Sequence, residues 1–302
     1  MPLNMENKLI YPNVLVGLDY TDMDDDIIAY CELLLANFQV SRLNFVHVIP
    51  QWILPTQLAR ATMQAAGLQP EMESQIRSHF ETKLQSIRQK YPSVNINLQL
   101  LQGKPYVKLL LSAKADKVNL FVVGKKKLSS GSGLQARRVA RNLECDLCFV
   151  PENPAEVIRR ILVPIDFSQY SVRALQTALQ LKEEIAGVQL IALHVIPLPS
   201  VSYSLHRNSS QLTEKLQDHA KQNYRNFIER EKLPGHAIEF KLMINEHFDV
   251  GQHIQEEARK VAADLLIIGA KGDDSTLSDF VFGSVTEKLV TLEDHLPVLV
   301  TR

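Results

Sequence analysis

The sequence predicts an α/β protein built as two tandem domains, each an open parallel sheet covered by helices on both faces. Three observations carry this expectation. The chain has 302 residues, enough for two domains of ordinary size. Its two halves repeat each other. Within each half, short apolar runs alternate with segments of helical periodicity, the pattern of βα units.

The repeat is read from spacing. NVLVGLDYTD (13–22) matches RILVPIDFSQ (160–169), placing Asp19 and Asp166 147 residues apart. LNFVHVIP (43–50) matches LIALHVIP (190–197), with His47 and His194 again 147 apart. NLFVVGKKK (119–127) matches DLLIIGAKG (264–272), with Gly124 and Gly269 145 apart. Offsets this constant over more than 100 residues mean a tandem duplication. Pro151 and Pro154 in PENPAEV mark the boundary, giving domains 1–152 and 153–302.

In the second half, ILVPID is β-branched and apolar, a buried strand. Ser168 is placed to cap the helix QYSVRALQTALQLKEEI, whose Val172, Leu175, Leu179 and Ile185 recur at roughly helical spacing. LIALHVIP is the second strand. The helix SSQLTEKLQDHAKQNYRNFIEREK follows, with Leu212, Leu216, Ala220, Tyr224, Phe227 and Ile228 on one face. AIEFKLMI is a third strand, GQHIQEEARKVAA a helix, DLLIIG a fourth strand, VTEKLVTLE a helix and PVLVT the last strand. The first half repeats this order and ends in LCFV.

The totals narrow the function classes. Hydrophobic residues make up 45% and charged residues 22%, so a packed core is easily made. A net charge of -1 gives no overall electrostatic footprint for nucleic acid. The opening MPLNMENKLIYPN lacks the basic-then-apolar layout of a signal peptide, and no apolar run reaches the length of a membrane span. The expectation is a cytoplasmic protein with neither nucleic-acid nor membrane partners. Of the three cysteines, Cys145 and Cys148 form C-x-x-C inside a strand, where residues three apart face opposite ways. They read as buried apolar residues rather than a redox or zinc pair.

Ligands of open parallel sheets sit beyond the carboxyl ends of the strands. There the second half places Asp166, His194-Val195 and Gly269. Gly269-Ala270-Lys271-Gly272 admits positive φ and close backbone approach. Gly283-Ser284 opens a helix whose positive end suits a phosphate. Asp166 is able to accept a hydrogen bond from the same ligand. The competing reading has the glycines as plain turns and Ser284-Val285-Thr286-Glu287 as a capping box. No Walker A loop occurs.

These residues resemble the universal stress proteins, over nearly the whole chain. Nucleotide-binding members of that family carry an aspartate in P-x-D-x-S after the first strand, and G-x-x-G, nine residues, then G-[ST]. Here Pro164-Ile165-Asp166-Phe167-Ser168 matches the first, and Gly269 to Gly272 followed by Gly283-Ser284 matches the second, with ten intervening residues instead of nine. The resemblance implies five strands per domain in the order 3-2-1-4-5. It also implies an ATP site in the second half, with or without Mg2+, ADP and AMP being the alternative ligands. Asp166 would meet adenine or ribose, Ile165 and Val195 would flank the base, and Ile268 and Gly269 would line the ribose side. Gly272, Gly283, Ser284 and Val285 would hold the phosphates. The acidic pair Asp273-Asp274 beside them would call for a divalent cation.

The first half keeps Asp19, Thr21 and His47-Val48 but places Lys127 where the second half has Gly272, and its loop is shorter. It reads as a degenerate nucleotide loop: a structural partner or a weak, different site. Lys125, Lys126 and Lys127 are expected to be solvated charges. Gly131-Ser132-Gly133-Leu134-Gln135-Ala136 formally matches a dinucleotide fingerprint but follows the wrong strand. Asp24, Asp25 and Asp26 read as first-turn helix acids with Thr21 as cap, rather than a metal cluster. His47 and His194 are expected to be packed and hydrogen-bonded. His247 and His253 do not share a helical face, and His253 with Glu257 makes no zinc set alone.

No nucleophile, base and orienting acid converge by spacing. The expected role is a regulatory, ATP-binding universal stress protein without efficient catalysis, slow ATP hydrolysis or autophosphorylation staying open. Its halves would form an intramolecular pseudo-dimer, two chains would pair as a homodimer, and a protein partner would read the bound state. The alternative is a nucleotide-independent scaffold or small-ligand protein, in which segments 51–90 and 198–232 cover a pocket. A third class is a nucleotide hydrolase or transferase on the same sheet.

Overall fold

The structure is a computed structural model that describes residues 11–50, 68–125, 142–197, 209–245, 249–272, 282–291 and 295–302. In the first half these residues form β1 (Asn13–Leu18), α1 (Met23–Asn37), β2 (Arg42–Pro50), α2 (Leu68–Lys90), β3 (Asn95–Gly103), α3 (Pro105–Ala115), β4 (Leu120–Gly124) and β5 (Asp146–Val150). In the second half they form β6 (Arg160–Pro164), α4 (Gln169–Glu184), β7 (Gln189–Pro197), α5 (Ser209–Arg230), β8 (Glu239–Asn245), α6 (Val250–Lys260), β9 (Leu265–Gly269), α7 (Ser284–Thr291) and β10 (Val298–Thr301).

The chain divides into two compact units. Among the described residues, one holds 11–145 and 150–153; the other holds 146–149 and 154–302. In the first unit β1, β2, β3 and β4 pair in parallel in the order 3-2-1-4. In the second, β6 to β10 pair in parallel in the order β8-β7-β6-β9-β10, which is 3-2-1-4-5. One feature adds to the expected all-parallel pattern. β5, the last strand of the first repeat, runs antiparallel to β10, with Phe149 opposite Val298 and Leu147 opposite Val300. Asp146 anchors it there: its carboxylate accepts from the Arg302 amide and pairs with Arg173 of α4.

The central strands are apolar along their whole length because helices cover the sheet. β9 (LLIIG) and β5 (DLCFV) are buried throughout. α4 packs on β6 and β9, and α6 packs on β7 and β8 and against α7. α1 packs on β4, and α2 and α3 pack on β3. Ser168 caps α4 as expected, its hydroxyl accepting from the Ser171 amide. Thr21 does not cap α1: Asp22 holds the N-cap position, and Asp24 is fully buried rather than solvated. Cys31, Cys145 and Cys148 are buried. Of the segments named as pocket covers, 68–90 and 209–230 are the helices α2 and α5, while 51–67 and 198–208 lie outside the described residues. So do Lys126, Lys127, Gly131, Gly133, Ala136, His247, Asp273 and Asp274.

Candidate functional site

At the carboxyl end of β6 the chain leaves the sheet through Ile165, whose amide still donates to Leu193 of β7. Asp166 follows, then Phe167 with φ of 66°, a left-handed turn that an aromatic residue adopts only under tertiary constraint. This turn re-aims the chain into α4. The Asp166 carboxylate is fixed by its own loop: Oδ1 accepts from the Ser168 amide at 3.1 Å and from the Ser171 hydroxyl at 2.6 Å. The same Ser171 oxygen accepts from the Asp166 amide at 3.0 Å. Ser171 is buried and Asp166 exposed, so one oxygen is anchored while the group faces solvent.

The second carboxylate oxygen points at the glycine bend. A Cβ built on Gly272 would lie 2.6 Å from Asp166 Oδ2, inside any real contact distance. Gly272 is therefore side-chain-free for a spatial reason. Positive φ is not that reason: among the described residues the positive-φ glycines are Gly103 and Gly187. Gly269 has a different cause. A Cβ there would sit 2.5 Å from Tyr170 Cβ and 2.9 Å from the Tyr170 carbonyl, so its role is to let the first turn of α4 lie on the strand. Gly124 does the same in the first repeat, against Met23 and Ile27 of α1.

Gly283 closes the bend. Its amide donates to the Ala270 carbonyl at 2.9 Å, and a Cβ on it would stand 3.5 Å from the Gly272 nitrogen. Residues Gly272 and Gly283 are thus neighbours in space. Thr286 of α7 ties the far side, its hydroxyl donating to the Gly269 carbonyl at 2.8 Å. The competing capping-box reading places Ser284 as the cap, whereas the helix starts one residue earlier than that reading needs. α7 begins at Ser284, so Gly283 is the cap residue and its carbonyl accepts from the Glu287 amide. A glycine cap has no side chain to offer the first-turn amides, those of Ser284, Val285 and Thr286. Ser284 is exposed.

The remaining expected site residues lie at the strand ends. Pro164, Ile165, Val195 and Ile268 are all buried there. His194 donates from Nδ1 to the Ile165 carbonyl at 2.9 Å, as the expectation of a packed histidine requires. Burial holds its pKa below the ordinary histidine value; the hydrogen bond to Ile165 and the charge of Asp166 oppose this in part. The Phe167 ring lies 4.5 Å from the imidazole and 5.5 Å from Phe227 of α5. The sequence reading missed Ser171 and Phe167. The signal for Ser171 was D-x-S-x-x-S, in which the second serine falls one helical turn into α4.

The first repeat keeps this frame with other side chains. Tyr20 has φ of 63°, and His47 donates from Nδ1 to the Leu18 carbonyl at 3.1 Å. Where the second repeat has Ser171, the first has Asp24, whose carboxylate accepts from the Asp19 amide at 3.1 Å and the Thr21 amide at 3.0 Å. Burial, with Asp19 nearby as a lesser cause, raises the Asp24 pKa to about 6, against those two hydrogen bonds. Thr21 donates to Asp19 at 2.7 Å.

Residues 158–302 match the model of the universal stress protein family. Among solved structures, a universal stress protein from Archaeoglobus fulgidus is similar at 15% identity, a TM-score of 0.64 and 98% of each chain. A protein of unknown function from Pseudomonas aeruginosa is similar at 13% identity and 0.61, over 96% of this chain and 92% of that one. The cytoplasmic domain of a prokaryotic cation chloride cotransporter is similar at 11% and 0.50, over 96% and 95%. At these identities the likeness is one of fold. No curated protein matches significantly. With the repeat and the strand order already described, the universal stress protein family is what the second half of this chain is similar to over residues 158–302, and the first half repeats the fold of that second half.

Proposed function

We propose that the second domain binds an adenine nucleotide, ATP in the first instance, as a regulatory ligand in a stress response. One observation supports this above the others: a carboxylate anchored by Ser168 and Ser171 faces a side-chain-free bend that closes against a glycine-capped helix start. In this reading Asp166 receives a hydrogen bond from adenine or ribose, with Ile165 and Val195 flanking the base and Ile268 and Gly269 on the ribose side. The amides at Gly272, Gly283, Ser284 and Val285, with the Ser284 hydroxyl, meet the phosphates. A divalent cation such as Mg2+ would offset the charge of Asp273 and Asp274. Nucleotide binding shifts what the surface around Gly272 offers a protein partner. The role is cytoplasmic and regulatory rather than catalytic, with the repeats acting as a pseudo-dimer or the chain as a homodimer.

A scaffold that ignores nucleotide is the second reading, favoured by Gly269, whose small size is explained by Tyr170 alone. Calorimetry and thermal shift with Mg-ATP, ADP and AMP separate the two. The nucleotide reading expects binding and a raised Tm, both lost in Gly272→Val while the variant keeps its fold by circular dichroism. Neither heat nor stabilisation at millimolar nucleotide would leave the scaffold. A single-turnover assay with labelled ATP tests for slow hydrolysis.

A further inference from the structure

The helix α3 differs from its counterpart α6 on the face turned to solvent. Across the 145-residue offset, Val107 and Leu111 stand where the second repeat has Gln252 and Glu256. The latter two are exposed polar residues. Val107 is 40% exposed and Leu111 57%. Lys104 and Lys114 continue the same stripe, since positions 104, 107, 111 and 114 follow helical spacing, and both are exposed. Lys108 lies beside it, its stem over Gly103, and Lys117 follows the helix end. No acid occurs within α3. The charge of the adjoining described sequence points the same way: residues 104–125 hold five lysines against one acid, Asp116, whereas 249–270 hold two basic residues against four acids.

We propose that this face of α3 is a docking surface for an anionic lipid bilayer. Val107 and Leu111 enter the boundary between headgroups and acyl chains, while the lysines extend to the phosphates at headgroup level. No helix among the described residues is long and apolar enough to cross a membrane, and this contact lies on the surface. Three other occupants fit less well. A second copy meeting this face symmetrically would set its lysines against their own images. A protein interface favours arginine and is depleted in lysine, and α3 carries only lysine. A nucleic-acid backbone would use the lysines but gain little from an exposed valine and leucine.

The test is co-sedimentation of the full chain with vesicles of phosphatidylcholine alone and of phosphatidylcholine mixed equally with phosphatidylglycerol. The protein should pellet with the anionic vesicles only, and less as salt rises. The double variant Val107→Gln/Leu111→Glu, which installs the second repeat's own residues on an equivalent helix, should lower partitioning at least about tenfold. Lys104→Gln/Lys114→Gln should lower it by roughly five-fold per lysine. Circular dichroism and melting confirm that each variant is folded. Equal pelleting with neutral vesicles, none with anionic ones, or folded variants that pellet like the wild type would each overturn the proposal. So would a wild-type dimer that ignores vesicles and falls to monomer in the first variant, which would give the face to a second copy.

Discussion

The two strand-end loops, 18–24 and 165–171, share a backbone and differ in one anchoring side chain. In both, an aromatic residue takes positive φ and a histidine on the second strand binds the carbonyl two residues before it. In both, a buried phenylalanine, Phe80 or Phe227, packs beneath. At the anchoring position the second repeat places a neutral hydroxyl and the first a buried carboxylate. A hydroxyl both donates and accepts, so Ser171 clamps Asp166 and leaves its charge presented to solvent. A carboxylate only accepts, so Asp24 satisfies two amides but repels Asp19. The duplication thus kept the scaffold of the loop and changed its electrostatics.

The glycines at the fourth strand give the largest test of that contrast. Gly269→Val would drive methyl groups into the α4 backbone at Tyr170, and a loss of more than about 3 kcal/mol is expected. Gly124→Ala meets the thioether of Met23, which is flexible, so about 1 kcal/mol is expected. Urea unfolding of both variants measures the difference; equal losses would mean that the two glycines are not packed differently.

The carboxylate itself gives the next effect. The folded pKa of Asp24, about 6, exceeds its ordinary value of 3.8, so the native state holds the proton more tightly than the unfolded chain. Its contribution is fully present below pH 4 and lost as pH rises through 6, a decrease of about 2 to 3 kcal/mol. Asp24→Ser, which copies the second repeat, should remove that slope. Unfolding free energies of wild type and variant from pH 4 to 7 decide it, and parallel curves would remove the assignment.

The smallest effect is expected at the clamp. Ser171→Ala deletes the hydroxyl that holds Asp166 by both amide and carboxylate. It should cost about 1 kcal/mol of stability and, where nucleotide binds, weaken it about five-fold. Binding left unchanged in a destabilised variant would show that Asp166 needs no clamp.

How much of this was legible beforehand depended on what each feature is made of. The repeat, the strands and the Ser168 cap are written in periodicity and composition, which a single sequence displays. The pairing of Asp166 with the glycine bend was legible because both fall at strand ends. The cause of each glycine was not: Gly269 and Gly272 look alike in sequence, yet one makes room for a helix and the other for a carboxylate. Ser284 looked like a cap because S-x-x-E is a local signal, but Gly283 holds that place, where its amide can close the bend onto Ala270. Asp24 looked solvated because first-turn acids usually are; its burial is set by the amides of Asp19 and Thr21, which spacing does not reveal.

The antiparallel strand β5 has a practical consequence for anyone wishing to take the molecule apart. Among the described residues the chain passes from one compact unit to the other after residue 145, again after 149 and a third time after 153. No single scission therefore yields both pieces whole. A cut at the proline-marked junction leaves Val298 to Val300 as a bare apolar margin with its amides open to any strand that comes by.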